Sequence, residues 1–116
     1  MRKTSINQAN DAFNALVQQC PLLLSRIEKD LGLSEEEANE GLLQCVRFLL
    51  LFKPGQPITP SILIDDIWHC FLLFTAQYHR FCQEHVGVFV HHHPGDDSPE
   101  DAEKFKQQYQ QTITLL

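Results

Sequence analysis

The chain has 116 residues, a formal net charge of −6 and a pI near 5.4. This length allows a single domain, since typical domains run to about 100–150 residues, and we expect one domain over residues 1–116. The acidic balance, with Lys and Arg scattered, argues against a surface for nucleic acid or an anionic membrane.

The cysteine pattern and the apolar runs indicate a cytoplasmic protein. None of the four cysteines forms a CxxC pair, and the polar N-terminal segment lacks the apolar core of a secretory signal. The longest apolar runs, such as residues 48–52, are far shorter than the roughly 20 residues of a membrane helix. We therefore expect free thiols and no membrane span. The cysteines are Cys20, Cys45, Cys70 and Cys82.

Two helices are predicted at the start of the chain. Apolar residues at three- and four-residue spacings over residues 5–19 are typical of an amphipathic helix, which the dipeptide ending in Pro21 would terminate. The same spacing continues over residues 22–31, and Gly32 stands where a helix C-cap glycine would.

A third helix is predicted to begin after Ser34, which can form a capping box with Glu37. It should run to Lys53, because Pro54 and the residues after it cannot continue a helix. The apolar density of residues 48–52 indicates burial on most sides. We therefore expect this to be the central core helix.

A long fourth helix of about 25 residues is predicted from Ser61 to about His85, since Thr59-Pro60-Ser61 supplies an N-cap followed by proline in the first turn and the next break is Gly87. A short extended piece, a polar loop and a last helix should follow, at residues 88–90, 91–97 and from Ser98 through Tyr109.

These elements predict an all-α fold. We expect one domain of about five helices, in orthogonal or bundle-like packing around a long central helix. Its core should lie between residues 42–52 and residues 62–81.

The stretch from residue 64 to residue 94 holds all six histidines, and it begins with a pair one helical turn apart. Asp65 and His69 are four residues apart, so they share a helix face. Such a pair suits either two ligands of one divalent metal or a carboxylate that orients an imidazole base. An extended chain after Gly87 could bring loop histidines from residues 91–93 back to this pair.

Cys82 offers two further alternatives. It lies thirteen residues beyond His69, about 20 Å along a straight helix, so these two cannot share a metal on an unbroken helix. It can instead form a cluster with His79 and His85, each three residues away. A Cys-dependent enzyme with Cys82 as nucleophile is a weaker alternative, because no oxyanion-hole loop is identifiable.

Each of these residues also has a purely structural explanation. An Asp–His pair one turn apart is more often hydrogen-bonded than metal-bound, and a cysteine on an apolar face is usually a buried small hydrophobe. Core packing alone explains one helical stripe in this stretch, which contains Trp68, Phe71, Leu72, Thr75, Tyr78 and Cys82.

Over residues 61–94 the sequence combines Asp65-x-x-Trp68-His69, Tyr78-x-x-Phe81-Cys82 and Gly87-x-Phe89-x-His91-His92-x-Pro94. This pattern resembles the glycine-rich domain-containing protein-like family, which is known from plants, fungi and bacteria. With only five glycines, the chain is similar to a compact bacterial form, a stand-alone helical domain. The resemblance implies no established catalytic activity. It marks Asp65, Trp68, His69, Tyr78, Cys82, Gly87, His91, His92 and Pro94, and it leaves out His79, His85 and His93.

Two functions follow from these observations. In the first, Asp65, His69 and either His91 or His92 converge on a site for Zn²⁺ or another divalent metal in a small binding module, with an open position that would permit hydrolysis. In the second, the protein is a metal-free interaction or scaffold protein, and the same polar residues form a hydrogen-bond lock. The partner would be a protein or a small molecule.

Overall fold

The computed structural model describes residues 2–55, 58–92 and 106–113. This part of the chain is helical throughout its regular structure and contains no β-strand, which confirms the predicted all-α class. Residues 106–113 are helical as well. The other elements are α1 (Arg2–Gln19), α2 (Leu22–Leu31), α3 (Glu35–Leu50), α4 (Ile62–Leu72), α5 (Thr75–Phe81) and a π-helical turn (Cys82–Val86).

The predicted ends of α2 and the start of α3 are confirmed in atomic detail. Gly32 adopts a left-handed conformation with φ of 65°, and its N–H donates to the carbonyl of Glu28. The Ser34 side chain accepts the N–H of Glu37 at 3.0 Å, and the Glu37 carboxylate accepts the N–H of Ser34 at 2.9 Å. Both halves of the capping box are therefore present.

Helix α3 lies at the centre of the core, where it contacts α1, α2, α4 and the π-helical turn. Helix α4 approaches it closely at Gly41, where a Cβ atom would stand 2.5 Å from Cδ1 of Ile67. The small residue thus allows the two helices to pack together. The largest fully buried aliphatic and aromatic side chains include Leu16, Leu23, Ile27, Leu42, Phe48, Leu49, Ile67, Phe71 and Tyr78.

The prediction of one long helix from Ser61 to His85 is wrong. The chain leaves the helical path at Phe74, with φ of −92° and ψ of 67°, and α5 begins at the next residue. The turn brings the Tyr78 hydroxyl to 3.0 Å from Nε1 of Trp68. Ten residues of straight helix would separate their backbones by about 15 Å along the axis, so the break is what lets the two side chains meet.

The chain reverses its direction after α5 through the π-helical turn. Gly87 closes this turn by donating its N–H to the carbonyl of Cys82 at 2.8 Å, and it has φ of 98°, a conformation that favours glycine. Residues 88–90, predicted as extended, form no strand, and Val90 is buried. The chain thereby returns along α4 and α5.

Part of the predicted loop and last helix, including His93, Pro94 and Ser98, lies outside the described residues. The described portion of that helix packs against the segment before α4, because the N–H of Thr59 donates to Oγ1 of Thr112 at 2.8 Å. Among the helices that the structure describes, none is long and apolar enough to cross a membrane.

Candidate metal centre

Three side chains that are far apart in sequence converge on one point beside α4. Nε2 of His92 lies 2.7 Å from Oδ1 of Asp65 and 3.0 Å from Nε2 of His69. Oδ2 of Asp65 lies 3.5 Å from Nε2 of His69. The predicted Asp65–His69 pairing on one helix face is confirmed, and of the described loop histidines it is His92 that joins this group. Asp65, His69 and His92 together could hold a metal ion.

Hydrogen bonds alone do not account for all of the short contacts in this group. One ring nitrogen of His92 faces both the Asp65 carboxylate and the His69 ring nitrogen, and a single N–H cannot point straight at two acceptors. At least one of the short contacts is therefore a poor hydrogen bond. A cation placed between the three atoms would accept a lone pair from each, which is the arrangement that a metal site provides.

A buried chain of hydrogen bonds holds the segment that carries His92. The Nε1–H group of Trp68 donates to the Tyr78 hydroxyl at 3.0 Å, and that hydroxyl donates to the carbonyl of Val90 at 2.6 Å. Burial raises the pKa of Tyr78, so the phenol stays protonated and remains a donor. Val90 is thereby fixed two residues before His92.

The indole of Trp68 also contacts the imidazole of His92. Its centroid lies 4.4 Å from that of His92 in an edge-on arrangement, and Phe48 of α3 packs against it at 5.5 Å. Trp68 therefore links the core helix, the Tyr78 hydroxyl and the imidazole of His92. This accounts for Trp68 and Tyr78 as positioning residues, whereas no sequence pattern indicated that the partner of Tyr78 would be a backbone carbonyl.

Exposure increases across the group from the loop to the helix surface. The side chain of His92 is 15% exposed, that of Asp65 34% and that of His69 52%. The imidazole of His92 is thus largely enclosed by the protein, while that of His69 faces water. An ion at this position would be open to solvent on the His69 side.

The other predicted histidines lie elsewhere. His91 and His79 both pack against Phe89, with ring centroids 4.7 Å and 5.9 Å from that of Phe89, respectively. His85 packs on Phe81 at 5.1 Å. Within the described ranges, the one cluster with metal-ligand geometry contains none of these three. The alternative site of His79, Cys82 and His85 is therefore not formed.

Cys82 is a core residue in this fold. Its side chain is fully buried, and burial raises the pKa of its thiol. A nucleophilic cysteine needs the opposite change, a lowered pKa with access for a substrate. The structure therefore supports the structural explanation of Cys82. Cys20, Cys45 and Cys70 are likewise buried free thiols.

Comparison with known proteins changes the family assignment. No curated protein and no solved structure gives a significant match to the chain. A family model described as UCP032817-like, which represents an uncharacterised family, matches residues 15–113. Nothing in the comparisons indicates a glycine-rich domain-containing family, so the membership expected from the motif in residues 61–94 is wrong. Because the match spans most of its length, the chain belongs to the UCP032817-like family.

Proposed function

We propose that this protein is a small helical binding module that holds one divalent metal ion, Zn²⁺ by preference, at Asp65, His69 and His92. The observation that carries the proposal is the convergence of these three side chains on one point. Imidazole nitrogen and carboxylate oxygen are both zinc ligands, and together they suit zinc better than the all-oxygen sites of magnesium or calcium.

The distances support this ligand set. Metal–ligand bonds of about 2.0–2.1 Å in a tetrahedron place neighbouring ligand atoms roughly 3.3 Å apart. The observed distances lie on either side of that value: 3.0 Å between the two imidazole nitrogens, 2.7 Å from His92 to Oδ1 of Asp65, and 3.5 Å from His69 to Oδ2 of Asp65. Both shorter pairs contain Nε2 of His92, so a small rotation of the Asp65 carboxylate would open one of them and a small rotation of the exposed His69 ring the other.

Three protein ligands leave one position of a tetrahedral ion for water or a small ligand. The exposure of His69 supports an open position on the solvent side. Structural zinc sites generally use four protein ligands, so the geometry favours a site that presents the metal to a bound molecule. The proposed module would therefore recognise a small ligand with a metal-binding atom.

Metal analysis of untagged protein tests the proposal. After dialysis against a weak chelator, zinc content by plasma mass spectrometry and zinc titration by calorimetry should both give about one equivalent, the stoichiometry of a single site. The variants Asp65→Asn, His69→Gln and His92→Gln should each lose this binding while remaining folded. Cobalt substitution should give the visible absorption of a tetrahedral Co²⁺ ion.

The chain offers matched controls outside the proposed ligand set. Asp66→Asn removes the carboxylate next to Asp65, His91→Gln removes the imidazole next to His92, and His79→Gln removes an imidazole ten residues beyond His69. Zinc binding should be retained in all three. A wild type that takes up no zinc, or controls that lose it as completely as the ligand variants, would overturn the proposed site.

A metal-free lock is the second candidate function, and the hydrogen-bond chain from Trp68 through Tyr78 to the carbonyl of Val90 favours it. In that case the group of Asp65, His69 and His92 fastens the loop to α4 in a scaffold that binds a protein partner. His69→Ala should then lower the melting temperature equally with and without chelator. A melting temperature that falls only when zinc is present would exclude the lock as the main role.

A further inference from the structure

A concave surface lies between the start of α3 and the start of α4, and its lining does not include Asp65, His69 or His92. It is a cavity of about 480 Å³ with mostly apolar exposed lining. Such a volume falls within the range of ligand-binding pockets, roughly 300–1,000 Å³. We call this cavity the α3–α4 groove. Its lining includes Leu33, Glu36, Glu37, Glu40, Leu63 and Ile64.

The apolar part of the groove is accessible. Leu63 is 46% exposed, and its neighbour Ile62, at the first position of α4, is 85% exposed. Large aliphatic side chains exposed together beside a concavity are characteristic of protein interaction sites. The groove can therefore accept apolar side chains from another molecule.

The charged part of the groove has one sign. Glu36, Glu37 and Glu40 contribute carboxylates, and among the described residues none that lines the cavity is basic. Glu37 caps α3, and Glu40 accepts a hydrogen bond from Gln44. With a net charge of −6 for the whole chain, this surface attracts a cationic partner.

We propose that the α3–α4 groove binds a basic amphipathic helix of a partner protein. Apolar side chains at i, i+3 and i+4 would enter between Leu33, Leu63 and Ile64, and flanking Lys or Arg side chains would lie over Glu36 and Glu40. This is the helix-in-groove mode of peptide recognition, with charge complementarity that sets the choice of partner. The inference is independent of the metal site.

A fluorescein-labelled peptide of about 14 residues, with leucines at helical spacing and lysines elsewhere, is the probe. Its binding is measured by fluorescence anisotropy in the presence of a chelator, so that no metal contributes. Two control peptides accompany it: one with the same composition in an order that does not separate leucine from lysine, and one with glutamate in place of lysine. Only the first peptide should bind tightly.

Variants then locate the binding site. Leu63→Ser, Glu36→Lys and Glu40→Lys should each weaken binding about tenfold, equivalent to about 1.4 kcal/mol. Leu22→Ser, at another exposed leucine, and Asp11→Lys, at a carboxylate on α1, should leave it within about twofold. Amide shifts in NMR spectra should change at residues 33–44 and 61–64.

Three binding results would overturn the proposal. They are the absence of peptide binding, equal binding of the non-amphipathic control, and equal loss in Asp11→Lys, which would mean a diffuse charge effect. Amide shift changes confined to other surfaces would also exclude the groove as the site. So would shift changes that arise from self-association of the chain without peptide.

Discussion

The Tyr78 hydroxyl lies 2.6 Å from the carbonyl oxygen of Val90, twelve residues further along the chain. Because Val90 is buried and His92 follows two residues later, this one hydrogen bond sets where the loop imidazole meets α4. The same hydroxyl accepts the Nε1–H of Trp68, whose ring packs on His92. The position of the innermost proposed ligand is thus determined by residues that do not bind the ion.

Tyr78→Phe should therefore weaken zinc binding without removing a ligand. The variant leaves the Val90 carbonyl and the Trp68 indole N–H buried without their partner, which costs about 1–3 kcal/mol of unfolding free energy. Zinc affinity should fall about tenfold or more, as is typical when a group that orients a ligand is lost. Thermal unfolding and calorimetric titration measure the two effects.

Tyr109→Phe is the matched control for this variant, since it makes the same chemical change at a partly exposed tyrosine in the helix at 106–113. Tyr109→Phe should change neither the unfolding free energy nor the zinc affinity appreciably. If Tyr78→Phe lost stability but bound zinc with unchanged affinity, the hydroxyl would have a structural role only.

Gly87→Ala should affect stability and the metal site together. Gly87 has φ of 98°, and a Cβ there would meet no atom within 4 Å, so the whole cost is backbone strain, about 1 kcal/mol or more. Relief of that strain would shift the segment leading to His92 and lower zinc affinity. Chemical denaturation and zinc titration of the variant check both expectations.

Gly55→Ala separates strain from function. Gly55 has φ of 82° and equally free space around its Cα atom, but it lies in the loop before α4. The Gly55→Ala variant should lose about as much stability as Gly87→Ala but keep the zinc affinity of the wild type. Equal loss of affinity in both variants would show that the site responds to global stability and not to the path of residues 87–92.

Much of the helical framework could be predicted because its signals are local. Gly32 and the pair of Ser34 and Glu37 fix helix ends through contacts within a few residues, and the four-residue spacing of Asp65 and His69 fixes their shared face. The break at Phe74 had no such signal, since neither proline nor glycine is present there. Packing of Tyr78 against Phe71, at 4.8 Å between ring centroids, is a tertiary contact that local spacing cannot reveal.

The choice between the loop histidines also depended on tertiary structure. Neighbouring residues in an extended segment point in opposite directions, so either His91 or His92 could face Asp65 but not both. The direction follows from Val90, which is buried, and from Phe89, which packs on the ring of Tyr78 at 5.4 Å. Neither contact can be derived from the spacing of the histidines.

Ser34→Ala should destabilise α3 without affecting the metal centre. The substitution removes the acceptor for the N–H of Glu37 and breaks the capping box, a loss of about 1 kcal/mol. For a domain of about 100 residues this corresponds to a fall of roughly 4–8 °C in the melting temperature. Ser25→Ala, at an exposed serine whose hydroxyl donates to the Leu22 carbonyl in its own helix, should lower the melting temperature much less. A reduced zinc affinity in Ser34→Ala would contradict the independence of the two regions.

Alkaline pH should destabilise the protein through its buried thiols, and Cys45 provides the sharpest case. Cys45 is fully buried, and burial raises its pKa well above the ordinary value of 9.0. Above pH 9 the unfolded chain has therefore lost this proton while the folded chain retains it, so the unfolding free energy falls as pH rises. The slope is at most about 1.4 kcal/mol per pH unit for one thiol.

Urea denaturation between pH 8 and pH 10.5, with a reductant present, measures this slope. Cys45→Ala should be less stable than the wild type at pH 8 because it leaves a cavity, but the difference should narrow by about 1–2 kcal/mol at pH 10.5. Val46→Ala creates a cavity at the neighbouring buried position without removing a titratable group, so its curve should stay parallel to that of the wild type. Parallel curves for both variants would show that Cys45 ionises in the folded protein as readily as in the unfolded chain, contrary to its burial.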